Sequence, residues 1–262
     1  MDTVASLAAR WQILRPHAGN GAGMDRRERA WRRAAELAAG GGPVSLETVC
    51  AAATEAITAD GYGVTLVSAP GLREFACASD PVGVLVEEVQ LACGEGPCTD
   101  AYSSLAAVLV PDLDDAAERW PGFVAPVAGQ GVRAVFAFPL QVAGVRVGAI
   151  DFYRRQASAL TADEATDAGA FAAVAAQVAF RSHPAPAALA AVSGDEPPHG
   201  FPPVVHQAAG MLAAQLEVSV EEALVRLRAY AFLHAQPLTG LARQVLERRL
   251  ALEDDHEPGS GR

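Results

Sequence analysis

Four cysteines carry the most distinctive chemistry that this 262-residue sequence offers. Cys50, Cys77, Cys93 and Cys98 form neither a Cys-x-x-Cys pair nor the framework of a small disulfide-bonded domain, so buried free thiols are expected. A redox pair of Cys93 and Cys98 is the alternative. No histidine lies between residues 44 and 182, so neither a mixed cysteine and histidine metal site nor a histidine-ligated haem is predicted there.

The basic residues exclude several catalytic classes, because all 20 of them are arginine. Without lysine, the chain has no Walker-type phosphate loop, no lysine Schiff base and no pyridoxal phosphate anchor. The run Gly94-Glu95-Gly96-Pro97 is predicted to be a turn rather than a phosphate cradle, since Pro97 has no N–H to donate. No catalytic residue, metal or cofactor is predicted, and the protein is not expected to be an enzyme.

Arg228 is the basic side chain best suited to contact nucleic acid. Ser219 and Glu222 have the spacing of a capping box, which predicts the start of a helix. Arg226 follows Glu222 by four residues, so we expect a surface ion pair there. Arg228 has no acidic residue three or four positions away and lies near Phe232, a combination that suits phosphate and base contact. The alternative is an ordinary surface arginine whose stem packs on its neighbours. The buried stripe of this helix is predicted to contain Val220, Ala223, Leu224, Leu227, Tyr230, Ala231 and His234.

Two further helices are predicted around this one. Residues 205–216 and 238–250 both place apolar side chains three and four positions apart. Gly210 lies inside the first of them, where glycine costs about 1 kcal/mol relative to alanine. A close helix crossing is the favoured explanation for this glycine, and close approach of a ligand is the alternative.

The three helices together resemble the ANTAR domain, an RNA-binding module of bacterial transcription antiterminators. The resemblance implies that the chain binds paired short hairpins in a nascent transcript, which prevents a terminator from forming. Ala209 departs from the family, many members of which have a basic residue at this position. The resemblance rests on His206-Gln207-Ala208-Ala209-Gly210-Met211, Val218-Ser219-Val220-Glu221-Glu222-Ala223, Leu227-Arg228-Ala229-Tyr230-Ala231, Leu238 and Ala242. The residues implied to bind RNA are Gln207, Ala208, Gly210, Arg228, Tyr230 and Ala231.

The middle of the chain mixes helix and strand signals. Strands are predicted over residues 62–68, 72–77, 106–110, 132–140 and 145–153, and helices over 45–59, 81–90, 114–129 with a break at 121–122, and 161–181. The last two strands are predicted to form a hairpin around Ala143-Gly144, and Thr161 with Glu164 is predicted to cap the last helix. This order resembles a GAF domain, an antiparallel sheet with helices that senses small molecules. The absence of lysine rules out the Asn-Lys-Phe-Asp-Glu signature of cyclic-nucleotide GAF domains. Three runs resemble the GAF half of actinobacterial GAF–ANTAR proteins: Gly94-Glu95-Gly96-Pro97-Cys98-Thr99-Asp100-Ala101-Tyr102, Arg119-Trp120-Pro121-Gly122-Phe123 and Phe136-Ala137-Phe138-Pro139-Leu140.

The predicted fold class is α+β, a GAF-like antiparallel sheet flanked by helices and followed by a three-helix ANTAR bundle. Residues 44–182 hold 7 arginines against 17 acidic residues, and residues 204–252 hold 5 against 4. General electrostatic adhesion to RNA is therefore not expected, and a few placed side chains must provide the binding. The predicted divisions are an N-terminal extension with an arginine-rich helix (1–43), a sensor domain (44–182), a proline-rich linker (183–203), an RNA-binding domain (204–252) and an acidic tail (253–262). The arginine-rich helix is expected to be a surface helix, with an RNA-binding arm as the alternative.

The predicted function is that of a signal-responsive RNA-binding antiterminator, in which the GAF domain senses a small molecule or a redox state. A homodimer is expected, because two hairpins must be held together. No membrane partner is expected, and a cytoplasmic location is the default for a sequence without a signal-peptide core or a spanning apolar run. The ligand and the residues that bind it cannot be named from the sequence. The alternatives are a cysteine-dependent redox enzyme and a regulator that binds protein instead of RNA.

Overall fold

The computed structural model describes residues 21–38, 42–69, 72–182, 203–234, 236 and 238–250. In these residues no helix combines the length and the apolar character that crossing a membrane requires. Residues 183–202 and 251–262 lie outside the described residues, and with them all but the last residue of the predicted linker (183–203) and the whole predicted tail (253–262). In chain order the elements are α1 (Gly21–Leu37), α2 (Leu46–Ala56), β1 (Gly61–Ala69), β2 (Leu72–Ala78), α3 (Pro81–Cys93), α4 (Pro97–Ser104), β3 (Val108–Val110), a 3-10 turn (Leu113–Ala116), α5 (Pro121–Ala128), β4 (Ala134–Val142), β5 (Val145–Arg154), α6 (Ala162–Ser182), α7 (Pro203–Leu216), α8 (Val220–Leu233) and α9 (Leu238–Leu246).

The five strands form one sheet in the order β2-β1-β5-β4-β3, and every neighbouring pair is antiparallel. Strands β4 and β5 form the predicted hairpin. Its turn residues Ala143 and Gly144 have φ values of 51° and 83°, as a two-residue hairpin with the twist of its strands requires. The predicted α+β fold with an antiparallel sheet flanked by helices is confirmed for this part of the chain.

Successive side chains along each strand point to opposite faces of the sheet, so they pack into two separate cores. Phe136 and Phe152 pack with α1, α2 and α6 on one face of the sheet. Val135 and Tyr153 pack with α3, α5 and the 3-10 turn on the other. Because side chains alternate along a strand, Asp151 of β5 lies on the same face as Tyr153, beneath α3 and α4.

The arginine-rich helix α1 packs on the sensor domain. Ala30 and Ala34 are buried in the core that α1 shares with α2 and α6. Arg26 forms ion pairs of 2.8 and 2.7 Å with Asp163 and Asp167, at the start of α6. The helix therefore packs on the surface of the sensor domain, and Arg26, Arg32 and Arg33 each have an acidic partner within this protein.

Helix α4 was not predicted. The run before it was correctly predicted to be a turn, since Gly94 is left-handed (φ 70°) and Gly96 has φ 129°. Pro97 then occupies the first turn of a helix, where its missing N–H costs nothing. Thr161 and Glu164 form the predicted capping box at the start of α6, with bonds of 2.7 and 3.1 Å.

Helices α7, α8 and α9 form a three-helix bundle around a core that includes Leu212, Leu227 and Leu241. Two members of the predicted stripe of α8 are exceptions. Val220 is the first residue of the helix and is 48% exposed. His234 follows the last residue of α8 and is exposed, with its ring stacked on Tyr230.

Candidate sensory site and the bundle contact

A cluster of polar side chains is buried between the sheet and helices α3 and α4. It consists of Thr65 on β1, Glu87 and Gln90 on α3, Cys98 on α4 and Asp151 on β5, and none of these residues is more than 2% exposed. We refer to these five residues as the carboxylate cluster. Burial of two carboxyl groups in one place is costly unless a proton, a cation or hydrogen bonds compensate.

Local sequence fixes the ends of the two helices that build the cluster. Asp80 caps α3 by accepting hydrogen bonds from the N–H groups of Val82 and Gly83, at 2.7 and 3.0 Å. Gly94 ends α3 in the left-handed conformation and its N–H bonds to the Gln90 carbonyl. Gly96 makes the approach of α4 to Gln90 possible, because a Cβ there would lie 2.5 Å from the Gln90 side-chain oxygen.

Hydrogen bonds order most of the polar atoms in the carboxylate cluster. The Thr65 hydroxyl donates to Oε2 of Glu87 at 2.6 Å, and the Gln90 amide donates to Oδ2 of Asp151. The backbone N–H of Cys98 donates to Oε1 of Gln90 at 2.7 Å. Gly63 leaves the room for Glu87, since a Cβ at that position would lie 2.5 Å from Oε1.

Two carboxylate oxygens of the cluster have no donor among the described residues: Oε1 of Glu87 and Oδ1 of Asp151 are fully buried and unpartnered. Burial, and next the charge of Asp151, raise the pKa of Glu87 well above its usual range. Burial likewise raises the pKa of Asp151 to about 6. The two carboxyl groups lie within hydrogen-bonding reach, so the pair can hold a shared proton or a cation.

Arg73 supplies one positive charge beside the cluster. It is 4% exposed, its guanidinium lies over the ring of Tyr102, and its Nη1 is 3.4 Å from the Thr99 hydroxyl. Its charge opposes the rise in the pKa values of Glu87 and Asp151. One arginine balances only one of two ionised carboxylates.

A groove of about 550 Å³ lies on the other side of the sheet, between α6 and the end of β4. Its wall is largely small and apolar. The polar side chains in it are Arg27, Gln141 and Gln177. This groove is a second place where a small molecule could bind, but none of its described lining residues has a buried polar side-chain atom without a partner.

A sequence model of the GAF domain family matches residues 45–180, which is just over half of the chain. The chain belongs to the GAF domain family. The family is one of small-molecule sensing domains, and the predicted GAF resemblance is confirmed. The matched region holds the whole carboxylate cluster and ends before the helical bundle begins. A comparison with curated proteins gave no match.

Solved GAF structures resemble the chain at low sequence identity. The GAF domain of an Acinetobacter phosphoenolpyruvate-protein phosphotransferase has 13% identity and a TM-score of 0.45 over 64% of this chain and 98% of that one. The free methionine-R-sulfoxide reductase of Neisseria meningitidis has 20% identity and a TM-score of 0.42 over 63% and 95%. A GAF domain/HD domain protein from Geobacter sulfurreducens has 13% and 0.40 over 54% and 97%.

The residues predicted to bind RNA lie outside the GAF match and divide into two groups. Ala208 and Ala231 are buried in the core of the bundle, so their side chains support the helices rather than face a ligand. Gln207 is exposed, and Gly210, Tyr230 and Arg228 are partly exposed. Their contact with RNA stays a prediction, and four of the six are accessible to make one.

Arg228 has partners that the sequence did not indicate. Its Nε donates to the Ala92 carbonyl at 2.5 Å and its Nη2 donates to the Cys93 carbonyl. Both acceptors belong to the last turn of α3 in the GAF domain, where carbonyls lack helical partners and carry the negative end of the helix dipole. The expectation of an uncompensated guanidinium is therefore wrong, because it considered only neighbours within the same helix.

A second bond strengthens the contact between bundle and GAF domain. The Thr239 hydroxyl of α9 donates to Oε1 of Glu88 at 2.6 Å, and Ala92 packs against the bundle core. Helix α3 thus carries cluster residues on its inner side and bundle contacts on its outer side. The expected ion pair of Arg226 with Glu222 is present at 2.7 Å, and it belongs to the bundle alone.

Gly210 does not serve a close helix crossing. Apart from its chain neighbours and the adjacent backbone of α7 itself, a Cβ built at this position meets no described atom within 4 Å. The favoured sequence explanation is therefore wrong for the described residues, and the close approach of a ligand stays a prediction.

The four cysteines are free thiols as expected, and all but Cys93, which is partly exposed, are buried. Cys98 faces Glu87, at 3.8 Å from its Oε2. Cys93 instead donates to the Val89 carbonyl at 2.9 Å, and burial raises its pKa to about 11. Burial and the charges of Asp151 and Glu87 also raise the pKa of Cys98. Both shifts favour the protonated thiol, whereas nucleophilic attack requires the thiolate.

Sequence reasoning missed Glu87 and Asp151 as site residues. Their partnership depends on the pairing of β5 with β1, which brings together positions far apart in the chain. One signal was available: Asp151 interrupts the apolar run of β5, and an acidic residue within a buried strand needs a partner.

Proposed function

We propose that this protein is a signal-responsive RNA-binding transcription antiterminator. The GAF domain receives the signal, and α7, α8 and α9 are an ANTAR domain that binds paired RNA hairpins as a homodimer. The observation that carries the proposal is Arg228, the residue that the ANTAR resemblance assigns to RNA. It uses its guanidinium on main-chain carbonyl oxygens, acceptors that the oxygens of an RNA phosphate can replace.

Gly210 on α7 is a second observation in favour of RNA binding by the bundle. A glycine inside a helix lowers its stability, and no described side chain needs the space it leaves. An RNA backbone that approaches α7 closely would need that space. The bundle is nearly neutral in charge, so recognition depends on such local features rather than on bulk attraction.

In the docked state, Arg228 of the bundle donates to the carbonyls of Ala92 and Cys93 on α3. RNA binding would compete with this contact for the same guanidinium. Each hydrogen bond from a charged donor contributes about 1.5–3 kcal/mol, so the α3 carbonyls hold the side chain until a signal weakens the contact or RNA displaces it. A ligand or redox change at the GAF domain need only favour the released state to raise RNA affinity. Helix α3 is suited to carry this change, because Glu87 faces the cluster and Glu88 bonds to the bundle.

Gel-shift titration of the full chain with the paired-hairpin RNA of its own operon leader tests the proposal. Arg228→Ala is expected to lower RNA affinity by about tenfold or more. Arg226→Ala removes the same charge from a surface pair on the same helix and is the matched control, with affinity near that of the wild type. Equal affinities of the two variants, or no binding by the wild type with any candidate signal, would exclude this function. Thermal unfolding of both variants checks that the bundle is intact.

A further inference from the structure

We propose that Glu87, Cys98 and Asp151 bind a divalent metal cation of the zinc class inside the GAF domain. The proposal concerns the carboxylate cluster and does not depend on RNA binding. The proposed site is enclosed, because none of the three ligand residues is more than 2% exposed.

The unpartnered oxygens point to such an occupant. One ligand atom from each of the three residues lies within 4.8 Å of the other two. Oε1 of Glu87 and Oδ1 of Asp151 have no donor among the described residues, although both side chains are more than nine-tenths buried. The second oxygen of each carboxylate is held by Thr65 or Gln90. Such outer hydrogen bonds are those that orient metal-binding carboxylates.

The spacing needs little adjustment to fit a metal. Zinc binds thiolate at about 2.3 Å and carboxylate oxygen at about 2.0–2.2 Å, which places neighbouring ligand atoms of a tetrahedral site about 3.5 Å apart. The three ligand atoms lie within 4.8 Å of one another, so shifts of about 1 Å bring them to the distances of a metal site.

Charge favours a divalent ion. When all three ligands are deprotonated, as metal binding requires, the two carboxylates and the Cys98 thiolate carry three negative charges, and Arg73 is the buried cation beside them among the described residues. A divalent cation makes the cluster neutral, and the thiol proton leaves to solvent as the metal binds. Mixed thiolate and carboxylate ligands favour zinc and similar transition metals over Mg²⁺ and Ca²⁺, which prefer oxygen ligands alone.

Cobalt substitution of the full-length protein tests the proposal. After removal of metal with a chelator, one equivalent of Co²⁺ is expected to bind and to give a thiolate-to-cobalt charge-transfer absorption. Cys98→Ser should abolish that absorption. Cys93→Ser removes a thiol that lies at the end of α3 and outside the proposed site, and this variant should retain the charge-transfer absorption.

Equilibrium dialysis with Zn²⁺ provides the second readout. Glu87→Gln and Asp151→Asn are each expected to lower zinc affinity at least tenfold, while Cys93→Ser keeps the wild-type value. If a carboxylate variant does not fold, the wild-type cobalt spectrum still decides. Failure of the wild type to hold stoichiometric metal would overturn the proposal in favour of a shared proton, and a charge-transfer band that survives in Cys98→Ser would equally reject the site.

Discussion

Gly210 allows folding and RNA binding to be measured separately. Replacement by alanine adds a methyl group where no described atom lies within 4 Å, so Gly210→Ala should leave stability unchanged or raise it by up to about 1 kcal/mol. RNA affinity should fall at least several-fold, because the added Cβ occupies the space that a close RNA backbone needs. Gel shifts and chemical denaturation measure the two effects.

Gly169 provides a matched control for that substitution. It also lies inside a helix, α6 of the GAF domain, and a Cβ there meets no described atom within 4 Å. Gly169→Ala should raise stability by a similar amount without changing RNA affinity. Unchanged RNA binding by Gly210→Ala would show that the glycine has no part in recognition.

The sequence predicts the partner of a side chain when that partner is close in the chain, but not when it is distant. The ion pair of Arg226 with Glu222 was predicted because both residues lie one helical turn apart. The partners of Arg228 lie about 135 positions earlier in the chain, and no local pattern identifies them. The same holds for Glu87 and Asp151, which meet only because the sheet has formed.

Helix α3 is the element that the carboxylate cluster and the bundle contact share. Asp80 caps it and also accepts a 2.6 Å hydrogen bond from the Tyr153 hydroxyl. Burial alone would raise the pKa of Asp80, but the bonds from Tyr153, Gly83, Ser79 and Val82 lower it. Its stabilising effect is therefore present above the unfolded-state pKa, near 3.9, and is lost as the pH falls below that value.

We expect Asp80→Ala to lower the free energy of unfolding by about 1–2 kcal/mol at pH 7. Asp80→Asn keeps an oxygen acceptor but cannot titrate, so it should cost less at pH 7 and should remove this residue's part of the acid destabilisation. Urea denaturation of both variants at pH 7 and pH 3 measures this. A loss for Asp80→Ala that is the same at both pH values would contradict the assigned role of the carboxylate.

The elements were predicted well where periodicity and caps agree. The β4–β5 hairpin and the start of α6 follow from alternating apolar residues and from the Thr161–Glu164 box. Helix α4 was missed because it is eight residues long and has no side-chain cap. The third bundle helix ends at Leu246 rather than near residue 250, since Arg248 is left-handed with φ 56°.

At the scale of the molecule, the bundle contact should restrain RNA binding. Glu88→Ala removes the acceptor of Thr239 from the GAF side without changing any residue predicted to bind RNA. Loss of about 1 kcal/mol from the docked state corresponds to about a fivefold rise in RNA affinity. Glu36→Ala removes an equal charge from exposed α1, which packs on the opposite face of the sheet from α3, and should leave the affinity unchanged. A fall in affinity for Glu88→Ala would contradict the restraint.

The order of the parts was predictable from sequence, whereas their contact was not. Turn residues, caps and apolar stripes are local, and they separate a mixed α and β region from three C-terminal helices. The packing of α8 and α9 on α3 depends on Arg228 and Thr239, which meet acceptors from a distant part of the chain. Composition and charge balance cannot indicate such a contact.

Transcription through the leader of the protein's own operon tests the central claim most directly. In single-round reactions with RNA polymerase, added wild-type protein is expected to increase readthrough of the terminator when both hairpins are intact. Disruption of either hairpin, or Arg228→Ala in the protein, should return readthrough to its basal level. Readthrough that does not respond to the wild-type protein under any candidate signal, or that responds equally to Arg228→Ala, would contradict the account.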